Sequence, residues 1–141
     1  MTQNTIQTIW LRIQLIFSAI GAALSLMMGG LDALLVVLLA FSVLDYVTGV
    51  LHAIVQRQLS SAIGFKGICK KVLIFMMVGA ANLLDVHILG GGGALRSAVI
   101  CFYLSNEGVS MLENAAKIGL PIPEKLRDVL SQLHGGEDIE Q

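Results

Sequence analysis

The sequence predicts an all-α integral membrane protein with four transmembrane helices, the third of them short, and a short C-terminal cytoplasmic amphipathic helix. Hydrophobic residues make up 55% of the 141-residue chain and charged residues only 13%, whereas an average soluble domain carries about 25% charged residues. A chain of this length cannot bury so much apolar surface in its own core, but a lipid bilayer accepts it. The formal net charge of -1 gives no general reason to expect nucleic-acid binding.

The first predicted span, residues 13–28, follows Trp10 and Arg12, which are typical of a membrane interface. Its flanks are similar to those of a signal peptide, but no A-x-A cleavage site follows, so we expect it to remain as a transmembrane helix. Small and polar residues recur on one face of this helix: Gln14, Ser18, Gly21 and Ser25. This stripe favours close packing against another helix, with the lining of water as the alternative.

The second predicted span, residues 34–55, forms an antiparallel hairpin with the first through the glycine turn at residues 29–32. It is long enough to cross a bilayer, which takes about 20 helical residues. One face carries the polar set Asp45, Thr48, Gly49, His52 and Gln56. A carboxylate near the middle of a span is costly, and Asp45 is therefore a functional candidate.

The segment 56–71 is predicted to be a cytoplasmic loop because it holds four basic residues, Arg57, Lys66, Lys70 and Lys71. Basic residues in short loops mark the cytoplasmic side of a membrane. The second helix then runs from outside to inside. With four spans, both termini are then expected to lie in the cytoplasm.

The third predicted span, residues 72–89, reaches only about 27 Å at helical rise and ends at the glycine run of residues 90–93. The fourth, residues 94–118, is amphipathic along its inner half, where Asn106, Ser110, Glu113 and Lys117 share a face beside Glu107 and Asn114. Gly119 and Pro121 are expected to end it. These spans place Glu107 at the same depth as Asp45.

No lysine or arginine of the chain is expected at the depth of Asp45 and Glu107. An unpaired buried carboxylate is driven towards its neutral form. The two acids could therefore be protonated and share hydrogen bonds, pair with another subunit, or face water in an oligomeric pore. They could serve as hydrogen-bonded helix packing, as pore or assembly elements, or in proton-coupled transport. The candidate set is Asp45, Thr48, His52, Asn106, Glu107, Ser110 and Glu113.

Enzymatic and cofactor chemistry finds no support in the sequence. Neither a GxSxG nor an HExxH motif occurs, and the three histidines are isolated from one another. Cys69 and Cys101 form no CxxC pair and no disulfide framework. We therefore expect no catalytic residue, no cofactor and no metal site.

Residues 119–141 are predicted to form a separate cytoplasmic part of the chain. A short helix is expected after Pro123, with one apolar stripe made by Leu126, Val129, Leu130 and Leu133. An acidic tail follows it. The stripe suits packing between subunits or on the membrane surface.

Three segments of the chain resemble the small bacteriophage holins, a group that includes holins used for clostridial toxin secretion. They read DYVTGVLHA from residue 45, GFKGICKKV from residue 64, and NEGVSMLENAAKIGLPIPEKLRDVL from residue 106. The resemblance implies a homo-oligomer in the cytoplasmic (inner) membrane of a bacterial host. This oligomer would open lesions through which an endolysin or a toxin escapes. It implies no catalysis and no cofactor. A small oligomeric proton- or cation-coupled exporter is the alternative, and a structural membrane adaptor is the third.

Overall fold

The computed structural model describes residues 3–126 and residue 128, and every regular element in that part of the chain is helical. The helices are α1 (Gln3–Met27), α2 (Ala33–Val55), α3 (Ser61–His87) and α4 (Ala94–Ile118). The prediction of an all-α protein is confirmed for these residues. The apolar stripe predicted after Pro123 lies mostly outside them.

Helix α4 is the centre of the bundle, because it packs most extensively against α2 and next against α3. The core contains five buried aliphatic side chains: Leu35 and Leu38 from α2, Ile74 and Val78 from α3, and Ile100 from α4. In lipid these contacts act through close van der Waals packing, since the surrounding acyl chains are as apolar as the core itself.

Helix α1 stands apart from this bundle. In the described part of the chain, none of its residues is buried, and Phe17, for example, is 72% exposed. Its contact with α3 lies at its C-terminal end, where Met27 packs on Gly79 and a Cβ at Gly79 would lie 3.0 Å from Met27 Cε. An apolar helix with so little protein around it suits a lipid environment.

Three of the described helices, α1, α2 and α3, are long and apolar enough to cross a membrane. Helix α4 is not among them, because Arg96, Glu107, Glu113 and Lys117 lower its hydropathy. It ends as predicted at Gly119, which has a φ of 98°. In that left-handed conformation glycine pays no steric penalty.

The prediction of a short third helix is wrong. Helix α3 has 27 residues and begins at Ser61, because Ser60 caps it by accepting a hydrogen bond from the Ile63 amide at 3.3 Å. The ring of Tyr46 packs on this added stretch, so that a Cβ at Gly67 would lie 3.1 Å from it. Three of the four basic residues assigned to a loop, Lys66, Lys70 and Lys71, therefore lie on α3.

Candidate functional site

A buried ion cluster joins the three helices of the bundle. The ammonium of Lys71 on α3 donates hydrogen bonds to Asp45 Oδ2 on α2 and to Glu107 Oε2 on α4. Glu107 is fully buried, Asp45 is 7% exposed, and the Lys71 side chain is 13% exposed. The prediction that no basic residue of the chain lies at this depth is therefore wrong, because Lys71 pairs with both acids.

The helical phase of α3 explains why Lys71 points inward. Lys71, Ile74 and Val78 stand at i, i+3 and i+7, so the lysine continues the face that carries the buried aliphatic residues. Its neighbour Lys70 is exposed. This phase is visible in the sequence, and it was missed because the basic composition of residues 56–71 was interpreted as a loop.

Neutral polar groups extend the cluster towards the end of α2. Asn114 Nδ2 donates to Thr48 Oγ1 at 3.2 Å and to Asp45 Oδ1 at 3.4 Å. Thr48 in turn donates to its own helix at the Asp45 carbonyl, at 2.9 Å. Asp45 thus accepts from α3 and α4 together, and Asn114 joins Thr48 as a residue of the site.

The cluster contains two carboxylates for one ammonium, a formal charge of -1 when all three groups are ionised. Glu107 Oε1 is buried and has no hydrogen-bond partner among the described residues. Buried charges are stabilised by pairing with opposite charges. Removing one partner of a buried ion pair typically lowers the free energy of unfolding by about 3–5 kcal/mol. The arrangement can therefore hold three helices together while dry, and its attraction weakens when water enters.

A cleft of about 260 Å³ opens beside the cluster. Its lining brings His52 and Ser110 together with Asp45, Lys71 and Asn114. Two candidates belong neither to the ion cluster with its Thr48 and Asn114 extension nor to the cleft lining: Asn106 is exposed on α4, and Glu113 is half-buried there. Of the remaining basic residues, Lys70 borders the cleft, Lys66 is exposed on α3, and Arg57 is exposed in the turn after α2.

A second polar cluster, which we call the Arg96 clamp, consists of Asp32, Asn82, Asp85 and Arg96. The Arg96 guanidinium, in a residue 6% exposed, reaches across to the α1–α2 turn. It donates to the Met28 carbonyl at 2.5 Å, to Asp32 Oδ2 at 2.6 Å and to the Gly30 carbonyl at 3.2 Å. A planar donor fork suits such simultaneous contacts.

Helix α3 supplies the other half of the Arg96 clamp. Asp85 is 1% exposed and accepts from the backbone amides of Leu95 and Arg96 at 3.2 and 2.6 Å. It thereby caps α4, whose N-cap residue Gly93 has no side chain to do so. Asn82 donates to the Met27 carbonyl at 3.0 Å, so the end of α1 is also fixed to α3.

Asp32 lies in the α1–α2 turn and accepts hydrogen bonds from Arg96 on α4 and from the Leu35 amide on α2. The hydrogen bond from Arg96, followed by that from the Leu35 amide, holds the pKa of Asp32 below its usual value of 3.8. Both donors favour the ionised form. The carboxylate therefore stays charged over the physiological range and completes the N-terminal cap of α2.

Metal and disulfide chemistry is not apparent in the described residues. Over residues 3–126 and 128, no group of three or more histidine, cysteine or acidic side chains could hold a metal ion. Cys69 is half-buried and Cys101 is exposed, and both are free thiols.

Comparisons with known proteins converge on one family. The model of a family described as the bacteriophage holin family matches residues 22–135. A 14.9 kDa protein of Clostridium perfringens, named only by its position in the nagH 3' region, is 41% identical over 82% of this chain and 88% of its own length. A protein of Listeria monocytogenes is 42% identical, over 86% and 87% of the two chains.

A phage protein is also similar to this chain. The "Probable holin" of Bacillus phage phi105 is 36% identical over 72% of this chain and 71% of its own length. No solved structure matches the chain significantly.

Proposed function

Because the chain belongs to the bacteriophage holin family, we propose that it oligomerises in the cytoplasmic membrane of a bacterial host and opens lesions that release an endolysin or a toxin. Family membership identifies it as a non-enzymatic protein. The observation that carries the proposal is the buried Asp45–Lys71–Glu107 cluster. Ionisable groups within membrane helices are costly, and they mark sites where hydration or charge is controlled.

In the proposed topology all four helices cross the bilayer, with both termini and residues 119–141 in the cytoplasm. Helix α4 carries charge, but its two buried charged residues are both paired, Arg96 with Asp32 and Glu107 with Lys71. Pairing inside a bundle is the condition under which a membrane tolerates such residues. Lys66 and Lys70, which are exposed near the start of α3, suit the cytoplasmic interface.

This topology predicts the location of two reporter fusions. Alkaline phosphatase joined after Gly92 should be active, because residues 90–93 then lie outside the membrane. The same enzyme joined after Gln141 should be inactive, and a cytoplasmic reporter at that position should be active. An external C-terminus would overturn the four-span arrangement.

The proposed lesion opens when the ion cluster exchanges its internal pairing for water. In the closed subunit, Lys71 draws α2 and α4 together through Asp45 and Glu107. Separation of these helices in an assembly would hydrate all three groups, and the polar cleft beside them would become part of a wet surface. The excess carboxylate favours this exchange, since its charge is unbalanced in the dry state.

Asp45→Asn and Glu107→Gln should each delay lysis. Either substitution leaves one carboxylate for one ammonium, so the closed cluster becomes formally neutral and less costly to keep dry. The time of lysis and of dye entry would be followed after induction in a host that also makes a cytoplasmic endolysin. Glu124→Gln, which removes a carboxylate at an exposed position beyond α4, is the matched control.

Unchanged timing and dye entry in both variants would refute gating by the cluster. Substrate-dependent flux without release of the endolysin would refute the holin function and favour an exporter.

A further inference from the structure

An apolar groove runs between α2 and α3 on the side away from α4. Its volume is about 510 Å³, and its walls include Leu39 and Val43 from α2 and Ile68, Val72 and Met76 from α3. The groove exists because α2 and α3 each pack chiefly against α4 and have little contact with each other. We call it the α2–α3 groove.

The α1 helix of the same chain closes only one end of this groove. Leu24 and Met27 line that end, and the preceding residues of α1 take no part in the lining. The Arg96 clamp fixes this geometry, because the turn after α1 is bonded through the Met27, Met28 and Gly30 carbonyls. The rest of α1 therefore points away from the groove. Other described residues cover neither the α2–α3 groove nor this part of α1.

From this geometry we infer that the α2–α3 groove receives α1 of a second copy of the chain. The inference rests on the proposed function in that it specifies how holin subunits meet. The groove is continuous with the contact of Met27 on Gly79, so an incoming α1 would extend a surface on which α3 already packs this helix. Arg12 is the single charged residue of α1. Lys71 is the single charged residue of the groove lining, and it is paired with Asp45 and Glu107. The surfaces that would meet are otherwise mainly apolar.

Ser42 favours a protein helix over a lipid chain as the occupant. It lines the groove, is 3% exposed, and its Oγ has no hydrogen-bond partner among the described residues. Rotation of its side chain towards the groove would let it bond a serine or glutamine of the α1 stripe, whereas an acyl chain offers no partner. Small residues of that stripe, Ser18, Gly21 and Ser25, permit close approach of the two backbones.

Disulfide trapping between two differently tagged copies tests this interface. Both copies carry Cys69→Ala and Cys101→Ala. One then carries Ser18→Cys or Ser25→Cys on α1, and the other carries Val43→Cys or Val72→Cys in the groove. After oxidation in host membranes, we expect a band with both tags at least tenfold stronger than for Ala23→Cys. That control is also a small residue, about 160° around the helix from Ser25.

Equal bands for stripe and control cysteines, or no band with any α1 cysteine, would overturn the inference; the second result is expected of a groove filled by lipid. Capture of the groove cysteines by another host protein would overturn it too. Lysis by each pair, measured under reducing conditions, separates the two proposals. Normal lysis without the cross-link refutes only the interface, and the cross-link without lysis refutes only the holin function.

Discussion

Lys71→Met should destabilise the helix bundle by about 3–5 kcal/mol, the usual cost of removing one partner from a buried ion pair. The substitution keeps a side chain of similar length but leaves Asp45 and Glu107 facing each other across the position of the lost ammonium. Both carboxylates are largely or fully buried, so neither regains full hydration unless the bundle opens. The free energy of unfolding, measured by titration with denaturing detergent, gives the magnitude.

Two controls isolate the charge. Lys70→Met changes the adjacent lysine, which is exposed, and should cost less than about 0.5 kcal/mol. The triple variant Asp45→Asn/Lys71→Met/Glu107→Gln removes all three charges and should recover most of the lost stability, because neutral replacements of a buried ion cluster are often tolerated. Equal stability of Lys71→Met and Lys70→Met would show that the cluster does not hold the bundle together.

Arg96→Gln should detach the α1–α2 turn from the bundle. The guanidinium bonds two backbone carbonyls and the Asp32 carboxylate, and hydrogen bonds to charged groups contribute about 1.5–3 kcal/mol each. Asp32 is half exposed, so it regains water and offsets part of this loss. Arg96→Lys should be nearly as damaging, because an ammonium cannot span the same acceptors. Faster proteolysis of the turn in detergent, together with a lower Tm, would report the detachment.

Two neighbouring glycines in the α1–α2 turn allow a matched comparison of how closely the turn packs on the Arg96 clamp. Gly29 and Gly30 have φ values of 87° and 91°, so alanine strains both positions by about 1–2 kcal/mol. A Cβ at Gly29 would also meet Asn82 Oδ1 and lie 2.8 Å from Arg96 Nε, whereas nothing lies within 4 Å of one at Gly30. Gly29→Ala should therefore be the more destabilising variant. Equal losses would contradict the close packing of the turn on the Arg96 clamp.

The sequence was informative where a residue's role depends on its own helix. The apolar runs predicted the helices, and the depth of Asp45 and Glu107 identified two members of the ion cluster. The third member was missed because Lys71 is 26 and 36 positions from its partners. Only the packing of three helices brings them together, and a basic segment has the same composition whether it is a loop or the start of a helix.

The same distinction applies to the Arg96 clamp at the other end of the bundle. Arg96 lies in the fourth predicted span, but its partners in the α1–α2 turn and the cap supplied by Asp85 depend on how α3 meets α4. The early start of α3 was locally encoded, since Ser60 is an ordinary N-cap residue.

Helix α3 contributes Lys71 to the ion cluster and Asp85 to the Arg96 clamp. Lys71 and Asp85 lie about 21 Å apart along its axis at the rise of an α-helix, and both point towards α4. A rotation or sliding of α3 that disengages one of them must displace the other. The ion cluster and the Arg96 clamp are therefore mechanically coupled through α3. We expect both to separate in one cooperative step when the bundle opens.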